Sequence, residues 1–179
     1  VLDRQSSRLK KLIEDLIEAS KASTGNLAVN FEECDIAVIL SQAVGEFEDK
    51  MTARELTAVV SYPEYSISVK ADGRHLWRVF DNLLNNICKY AQPGTRVYID
   101  VAQRGSIVEI IFKNISSSQL NISSDELMER FVRGDSSRNT EGSGLGLSIA
   151  NSLMELMNGK MTLDVDGDLF KVTLAFNAE

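Results

Sequence analysis

The spacing of hydrophobic positions changes near residue 25 and divides the chain into a helical N-terminus and a longer mixed segment. Up to that point the apolar residues repeat with a helical period. Two heptad positions and two flanking residues make up this stripe: Leu2, Leu9 and Leu16; Gln5, Leu12 and Ala19; Ile13 and Ile17. Ser-Thr-Gly-Asn at 23–26 then ends the pattern, with Gly25 as a helix C-cap. The sequence predicts a helix over 2–22 that needs a partner helix for its apolar face.

Beyond residue 26 the pattern predicts strands and helices in mixed order. They are a strand near 28–34, a helix from Asp35 to about Lys50, strands at 56–62 and 66–72, a helix at 73–91, a hairpin turning at Arg104 and Gly105, a short helix near 124–132, a glycine-led helix to Asn158, and a final hairpin with Asp-Gly at its turn. This order indicates an α+β fold, a two-layer sandwich in which one mixed sheet is covered by helices on one face. We therefore expect an N-terminal helix, 1–25, and a domain, 26–179.

Charge and composition narrow the possible functions. The net charge is −7 and no basic run is long enough to follow a phosphate backbone, which argues against a nucleic-acid partner. Cys34 and Cys88 lack metal-ligand spacing, and a reducing cytoplasm fits them best. No apolar run approaches the 18 or so residues that a membrane helix needs. We expect any targeting or membrane segment to precede Val1.

Three glycines at alternate positions, Gly142, Gly144 and Gly146, stand directly before the predicted helix near the C-terminus. Such a loop lets the backbone approach an anion closely, and the N–H groups at a helix start favour negative charge. Neither a GK[ST] loop nor a strand followed by GxGxxG is present, so the two common phosphate loops do not apply. By themselves the glycines are equally consistent with a flexible loop that enters a helix.

A polar stripe on the predicted helix 73–91 strengthens the phosphate hypothesis. Asn82, Asn86 and Lys89 lie at i, i+4 and i+7, within roughly 60° of one another at 100° per residue. The apolar residues of the same segment lie opposite: Phe80, Leu84, Ile87 and Ala91. Asparagine oxygens are suitable ligands for Mg²⁺, and a lysine ammonium can neutralise a phosphate oxygen. The alternative is a solvated face, although two asparagines are costly there because they are poor helix formers.

Arginines mark the polar loop before the glycines. Arg130, Arg133 and Arg138 lie between the predicted short helix and Gly142. Guanidinium groups hold phosphate oxygens in bidentate fashion, and one in a loop can act when a nucleotide is bound. For any single arginine, a solvent-exposed charge is an equal alternative.

Together these segments resemble the catalytic and ATP-binding region of a bacterial two-component sensor histidine kinase, of the GHKL ATPase superfamily. "DNLLNNICKYA" resembles the family's N box, "RFVRGDSSR" its F-box region and "GSGLGLSIA" its G2 box, in the family's order. The resemblance covers nearly the whole chain. Residues 1–25 are similar to the second helix of the dimerisation and phosphoacceptor hairpin, and 26–179 to the catalytic domain.

The resemblance implies roles for individual residues. Asn86 would be the Mg²⁺ ligand with help from Asn82, Lys89 would contact a terminal phosphate, and Tyr90 would flank the adenine. The loop that ends in Gly142, Gly144, Leu145 and Gly146 would form the ATP lid and phosphate cradle, with Arg133 or Arg138 near the γ-phosphate and Phe131 as an anchor.

One motif departs from the family pattern. The family's G1 box is Asp-x-Gly-x-Gly, and its Asp accepts a hydrogen bond from the adenine amino group. Here Asn114 stands at the Asp position and Ser116 at the first Gly. The asparagine oxygen can still accept this bond, without charge assistance and at a cost on the order of 1 kcal/mol.

The resemblance also implies a function and partners. The domain would use Mg²⁺ and ATP to phosphorylate a histidine upstream of residue 1, from which the phosphoryl group passes to an Asp of a response-regulator receiver domain. His75 opens the N-box helix and is expected to have a capping or packing role. The full-length protein would be a homodimer through its N-terminal helix, and this chain the cytoplasmic domain of a membrane-anchored sensor. Two alternatives are a degenerate regulatory module with impaired nucleotide binding and a serine kinase of the anti-sigma type, which leaves the N-terminal helix unexplained.

Overall fold

A computed structural model describes residues 2–120, 123, 125–126 and 145–178. Within these residues the helices are α1 (Leu2–Ser23), α2 (Ile36–Glu46), α3 (Glu48–Ala53), α4 (Gly73–Tyr90) and α5 (Gly146–Leu156). The strands are β1 (Glu32–Asp35), β2 (Thr57–Ser61), β3 (Ser68–Ala71), β4 (Arg96–Arg104), β5 (Ile107–Ile115), β6 (Lys160–Asp166) and β7 (Leu169–Asn177). The short helix predicted near 124–132 falls almost entirely outside the described residues.

The main sheet has five strands in the order β2-β4-β5-β7-β6. Strand β2 is parallel to β4, and the other neighbours are antiparallel, so the sheet is mixed as predicted. The expectation of a single sheet is wrong in one respect, because β1 and β3 form a separate antiparallel pair. Strands β2 and β3 follow one another across Pro63 but lie in different sheets. The sequence did not predict this, because a local pattern indicates a strand but does not select the strand with which it pairs.

One face of the main sheet is buried against the helices. Alternate residues of each central strand point inward, as the period of two requires. In β5 these are Val108, Ile110, Phe112 and Asn114. The ring of Phe112 lies 5.9 Å from that of Phe80 on α4, measured between centroids. The two-layer α+β sandwich predicted from the order of elements is confirmed.

Several predicted boundaries differ from the structure. The strand expected near 28–34 is confined to β1, and the helix expected from Asp35 to Lys50 is interrupted at Phe47, which joins α2 to α3. Phe47 is buried, and Gly45, a poor helix former, precedes it. Both hairpin turns lie one residue later than predicted, at 105–106 and 167–168.

The predicted end of α1 is confirmed in detail. Gly25 has a φ of +70°, a conformation that glycine adopts without steric cost. The N–H of Gly25 donates to the carbonyl of Ala22 at 3.2 Å, and that of Asn26 to the carbonyl of Lys21 at 2.9 Å. These two bonds form a Schellman motif, which satisfies carbonyls that the helix end would leave unpaired.

An arginine on α4 joins α1 to the domain. The guanidinium of Arg78 donates to Asp15 at 3.0 Å and to Glu18 at 2.9 Å on α1, and to Asp81 at 2.8 Å on its own helix. Ala22, near the end of α1, is also buried. Because the four charged side chains are only partly exposed, these contacts are screened less by salt than surface ion pairs.

The opposite side of α1 carries an exposed apolar stripe. Its side chains are between 49% and 60% exposed: Leu9, Ile13, Leu16 and Ile17. Nothing in the described part of the chain covers them. None of the described helices combines the length and hydropathy needed to cross a bilayer.

The start of α4 is fixed by a buried carboxyl group. Asp72 accepts hydrogen bonds from the N–H groups of Arg74 and His75 as N-cap, and from that of Asn30 at 2.8 Å. Burial alone would raise the pKa of Asp72, but these N–H donors and the nearby His75 outweigh it and lower the pKa. The imidazole Nε2 of His75 lies 2.8 Å from the carbonyl oxygen of Ala28, so this histidine has the structural role that the sequence predicted.

Replacing Asp72 by alanine is expected to destabilise the protein by about 3 kcal/mol, because the helix loses its cap and the N–H of Asn30 loses its acceptor. Urea unfolding at pH 7 measures this change. The matched control is Asp35→Ala, which removes the more exposed N-cap of α2 and should cost only about 1 kcal/mol.

The wild-type protein and Asp72→Ala also test the direction of the pKa shift of Asp72. Since its pKa is lower in the folded state, the ionised carboxyl stabilises the fold fully above its unfolded pKa of about 3.9 and loses this effect as the pH falls through the folded value. The stability difference between wild type and Asp72→Ala should therefore shrink below about pH 4. A difference that stays constant down to pH 2 would contradict this assignment.

Candidate functional site

The polar stripe of α4 lies where the sequence placed it, opposite the face that packs on the sheet. Phe80, Leu84, Ile87 and Ala91 are almost fully buried. Asn86 and Lys89 are half-buried on the other side, and Asn82 is 8% exposed. The helix can turn polar groups outward in this way because its apolar residues all fall on one side.

Asn82 lies at the contact between α4 and α5. Its amide nitrogen donates to the carbonyl oxygen of Arg78 at 3.0 Å, which fixes the orientation of the side chain. A Cβ atom added to Gly146 would lie 3.3 Å from the Asn82 side-chain oxygen. The first residue of α5 must therefore be small for the helix to approach Asn82, and the two sequence motifs meet here.

Two adjacent asparagines on α4 have different environments. Asn85 donates to the backbone carbonyl of Asp81 at 2.9 Å and to its carboxylate at 3.1 Å, and accepts from Lys50. The side-chain amide of Asn86 makes no hydrogen bond with any residue that the structure describes. Asn85 is thus held in a structural network that the sequence analysis missed, whereas the amide of Asn86 remains available to a ligand.

Lys89 and Tyr90 continue the stripe toward the end of α4. The ammonium of Lys89 lies 4.9 Å from the centroid of the Tyr90 ring, within the range of a cation–π contact. Tyr90 is 38% exposed. The cation and the aromatic face are therefore neighbours at one end of the site.

Asn114 lies on the face of β5 that meets α4, and it is 4% exposed. Two residues before it, Phe112 packs against Phe80. Two residues after it, Ser116 forms a bridge with Ala91 at the end of α4. Asn114 therefore lies beside the C-terminal half of α4, and its amide makes no hydrogen bond within the described residues.

The segment after β5 is tied to the end of α4 by backbone hydrogen bonds. The N–H of Ser117 donates to the carbonyl of Tyr90 and that of Gln92 to the carbonyl of Ile115, both at 2.8 Å. Ser116 borders an open polar pocket of about 360 Å³. Its other lining residues are Gln92, Ile115, Ser117, Ser118, Gln119 and Asp168. Gln92 and Asp168 were not singled out by the sequence, because only the fold brings them to Ser116.

Several predicted site residues fall outside the described part of the chain: Arg133, Arg138, Phe131, Gly142 and Gly144. Leu145 packs against the hydrophobic core, and its carbonyl accepts from the N–H of Ile149 at 2.8 Å as α5 begins. The described structure thus places Asn82 against Gly146, and Asn86, Lys89 and Tyr90 further along α4. Asn114 on β5 lies beside the C-terminal half of that helix.

Comparison with known families agrees with this geometry. Residues 71–178 match the family described as histidine kinase-, DNA gyrase B- and HSP90-like ATPases. The chain belongs to this family. Membership implies an ATP-binding domain, and the matched range includes both α4 and α5.

Curated relatives and solved structures give the same result. The signal transduction histidine-protein kinase BaeS of Escherichia coli K12 is 33% identical over 162 residues, which cover 89% of this chain and 34% of BaeS. The chain thus spans about a third of this relative's length. The Acinetobacter baumannii histidine kinase AdeS has the same fold, with a TM-score of 0.82 at 20% identity, covering 99% of this chain and 82% of that one. The histidine kinase ThkA, solved with the response regulator protein TrrA, has a TM-score of 0.73 at 19% identity, covering 99% and 49%.

Gly146→Ala is expected to weaken ATP binding about tenfold, because the added methyl group displaces the Asn82 side chain by a few tenths of an ångström. Calorimetric titration with ATP measures the loss. The matched control is Gly45→Ala on α2, where an added Cβ meets nothing within 4 Å. That change should leave ATP affinity unaltered and stabilise the helix by up to about 1 kcal/mol. Equal ATP affinity in both variants would contradict the assigned role of Gly146.

Proposed function

We propose that this chain is the catalytic ATP-binding part of a sensor histidine kinase. It would transfer the γ-phosphoryl group of ATP to a histidine outside these 179 residues, and from there to an aspartate of a response regulator. The observation that carries the proposal is the available amide of Asn86, on the polar face of α4 and one turn from the contact between Asn82 and Gly146. Relatives named as histidine kinases, such as BaeS, support it.

The polar stripe has the donor set that a magnesium–phosphate complex requires. Mg²⁺ prefers oxygen ligands and retains several waters, so one or two neutral carboxamide oxygens beside phosphate oxygens suit it. Asn86 would be a ligand, with Asn82 supporting it from its fixed position. When bound, the ion would neutralise charge on the phosphates.

Lys89 and the loop arginines would serve the terminal phosphate. The ammonium of Lys89 lies on the same face of α4 as Asn86, where it would pair with a phosphate oxygen. Arg133 or Arg138 would approach the γ-phosphate, and Gly142 and Gly144 would let the loop backbone lie close to the phosphates. The chain's main task would be positioning and charge neutralisation, as phosphoryl transfer generally demands.

The adenine would lie near the C-terminal end of α4. Tyr90 would flank the base with its partly exposed ring, and Asn114 would accept a hydrogen bond from the exocyclic amino group. Leu145, at the start of α5, would contribute apolar contact on the side of the lid.

The acceptor would be a histidine other than His75. A nitrogen of the acceptor imidazole attacks the γ-phosphorus, a P–N bond forms, and the bond to the β-phosphate oxygen breaks to release ADP. His75 is unsuitable because its Nε2 already contacts the carbonyl of Ala28 and its ring is half-buried.

Two partners follow from this function. The exposed apolar stripe of α1 would form part of a helical dimer interface in the full-length protein, with Leu9 and Leu16 at its centre. A response-regulator receiver domain would accept the phosphoryl group, in keeping with the solved complex of ThkA with TrrA. The chain would be the cytoplasmic domain of a membrane-anchored sensor. The family match and the kinase relatives do not support the degenerate alternative.

Asn86→Ala tests the proposal directly. The substitution should weaken Mg²⁺-dependent ATP binding by at least about tenfold, a loss typical even of groups that only support a metal ligand. Calorimetric titration with ATP and ADP, with and without Mg²⁺, measures it. The matched control is Asn85→Ala, one residue away but held by Asp81 and Lys50, which should bind ATP within a few-fold of wild type while losing some stability.

Two results would overturn the proposal. One is wild-type protein that does not bind ATP at millimolar concentration in the presence of Mg²⁺. The other is Asn86→Ala that retains full Mg²⁺-dependent affinity.

A further inference from the structure

We propose that the adenine site proposed above accepts guanine as well as adenine, with Asn114 and Ser116 as the residues that set this broad specificity. The inference rests on the proposed nucleotide site and adds the range of nucleotides that the site binds. Its basis is the buried residue Asn114, whose side-chain amide makes no hydrogen bond with any described residue, and the hydroxyl of Ser116 directly after the end of β5.

The amide of Asn114 has no preferred orientation imposed by the described residues. It is almost fully buried beside the C-terminal half of α4, between Phe112 and Ser116. Neither its oxygen nor its nitrogen makes a hydrogen bond with any described residue. A half-turn about its terminal torsion therefore exchanges donor and acceptor without breaking an existing bond.

Adenine and guanine carry opposite hydrogen-bonding groups at the ring position that would face Asn114. Adenine carries an exocyclic amino group, which donates, whereas guanine carries a carbonyl oxygen, which accepts. A carboxylate only accepts, so it pairs with adenine and repels the guanine oxygen. An asparagine at position 114 can meet the adenine with its oxygen or the guanine with its nitrogen.

Ser116 supplies the second adaptable group. Ser116 follows the last residue of β5 and is buried like Asn114, and two residues of extended chain span about 6.6 Å. Ser116 is 9% exposed, and its hydroxyl oxygen accepts a long hydrogen bond of 3.3 Å from the N–H of Ser118. A hydroxyl has one proton and two lone pairs, so it can donate to N1 of adenine or accept from the N1–H of guanine. A glycine at this position would offer no side chain to either base.

The combination removes the usual cause of strong discrimination between purines. A site rejects an analogue by factors of about 10⁴ when a buried polar group is left unpaired against it. Here both side chains can find a partner on either base, so the penalty does not arise. We expect the wild-type affinities for ATP and GTP to differ by less than about tenfold.

Competition titration of the chain with ATP and GTP in the presence of Mg²⁺ measures the ratio. Asn114→Asp should raise the preference for ATP over GTP at least about tenfold, because the carboxylate cannot donate to guanine. The matched control is Asn85→Asp, which adds the same charge on α4 in the network of Asp81 and Lys50, and should leave the ratio as in wild type. Ser116→Ala should weaken both nucleotides to a similar extent.

Each outcome separates this inference from the proposed function. Wild-type protein that binds ATP more than about 100-fold tighter than GTP overturns the inference and leaves the kinase proposal intact. An unchanged ratio in folded Asn114→Asp also overturns it, since base choice would then not depend on this amide. Failure of the wild type to bind either nucleotide overturns both. The wild-type ratio alone decides the matter if Asn114→Asp does not fold.

Discussion

The burial of one side of α4 against the main sheet is the interaction on which the rest of the structure depends. In this interface the ring of Phe80 on α4 packs against that of Phe112 on β5. Ala91, directly after α4, pairs with Ser116 in a β-bridge. Since the apolar residues of α4 occupy only one side, this packing turns Asn86 and Lys89 outward. The helix thereby serves the hydrophobic core and the candidate nucleotide site at once.

The second helix of the site packs closely against α4 at a residue that has no side chain. Gly146 begins α5 close to Asn82, and any Cβ atom there would press on the asparagine oxygen. Asn82 cannot easily yield, because its amide nitrogen is bound to the carbonyl of Arg78. The glycine sequence before α5 therefore has a packing requirement as well as the phosphate-binding role proposed for it.

Arg78 connects the candidate site with the N-terminal helix. Its backbone carbonyl holds Asn82, and its guanidinium binds Asp15 and Glu18 on α1. Arg78 thus contacts both α1 and the residue that packs against Gly146.

The sequence by itself determined the features that depend on neighbouring residues: the amphipathic faces of α1 and α4, the Schellman motif at Gly25, the hairpins and the α+β class. Only the tertiary structure decided which strands pair, since β1 joins β3 and β2 lies parallel to β4. It also showed that Asn85 and Asn86, adjacent in sequence, have different environments, and that Asn114 is a buried residue whose side chain makes no hydrogen bond with the described residues. These differences come from contacts between residues far apart in the chain, such as Lys50 with Asn85, which no local pattern encodes.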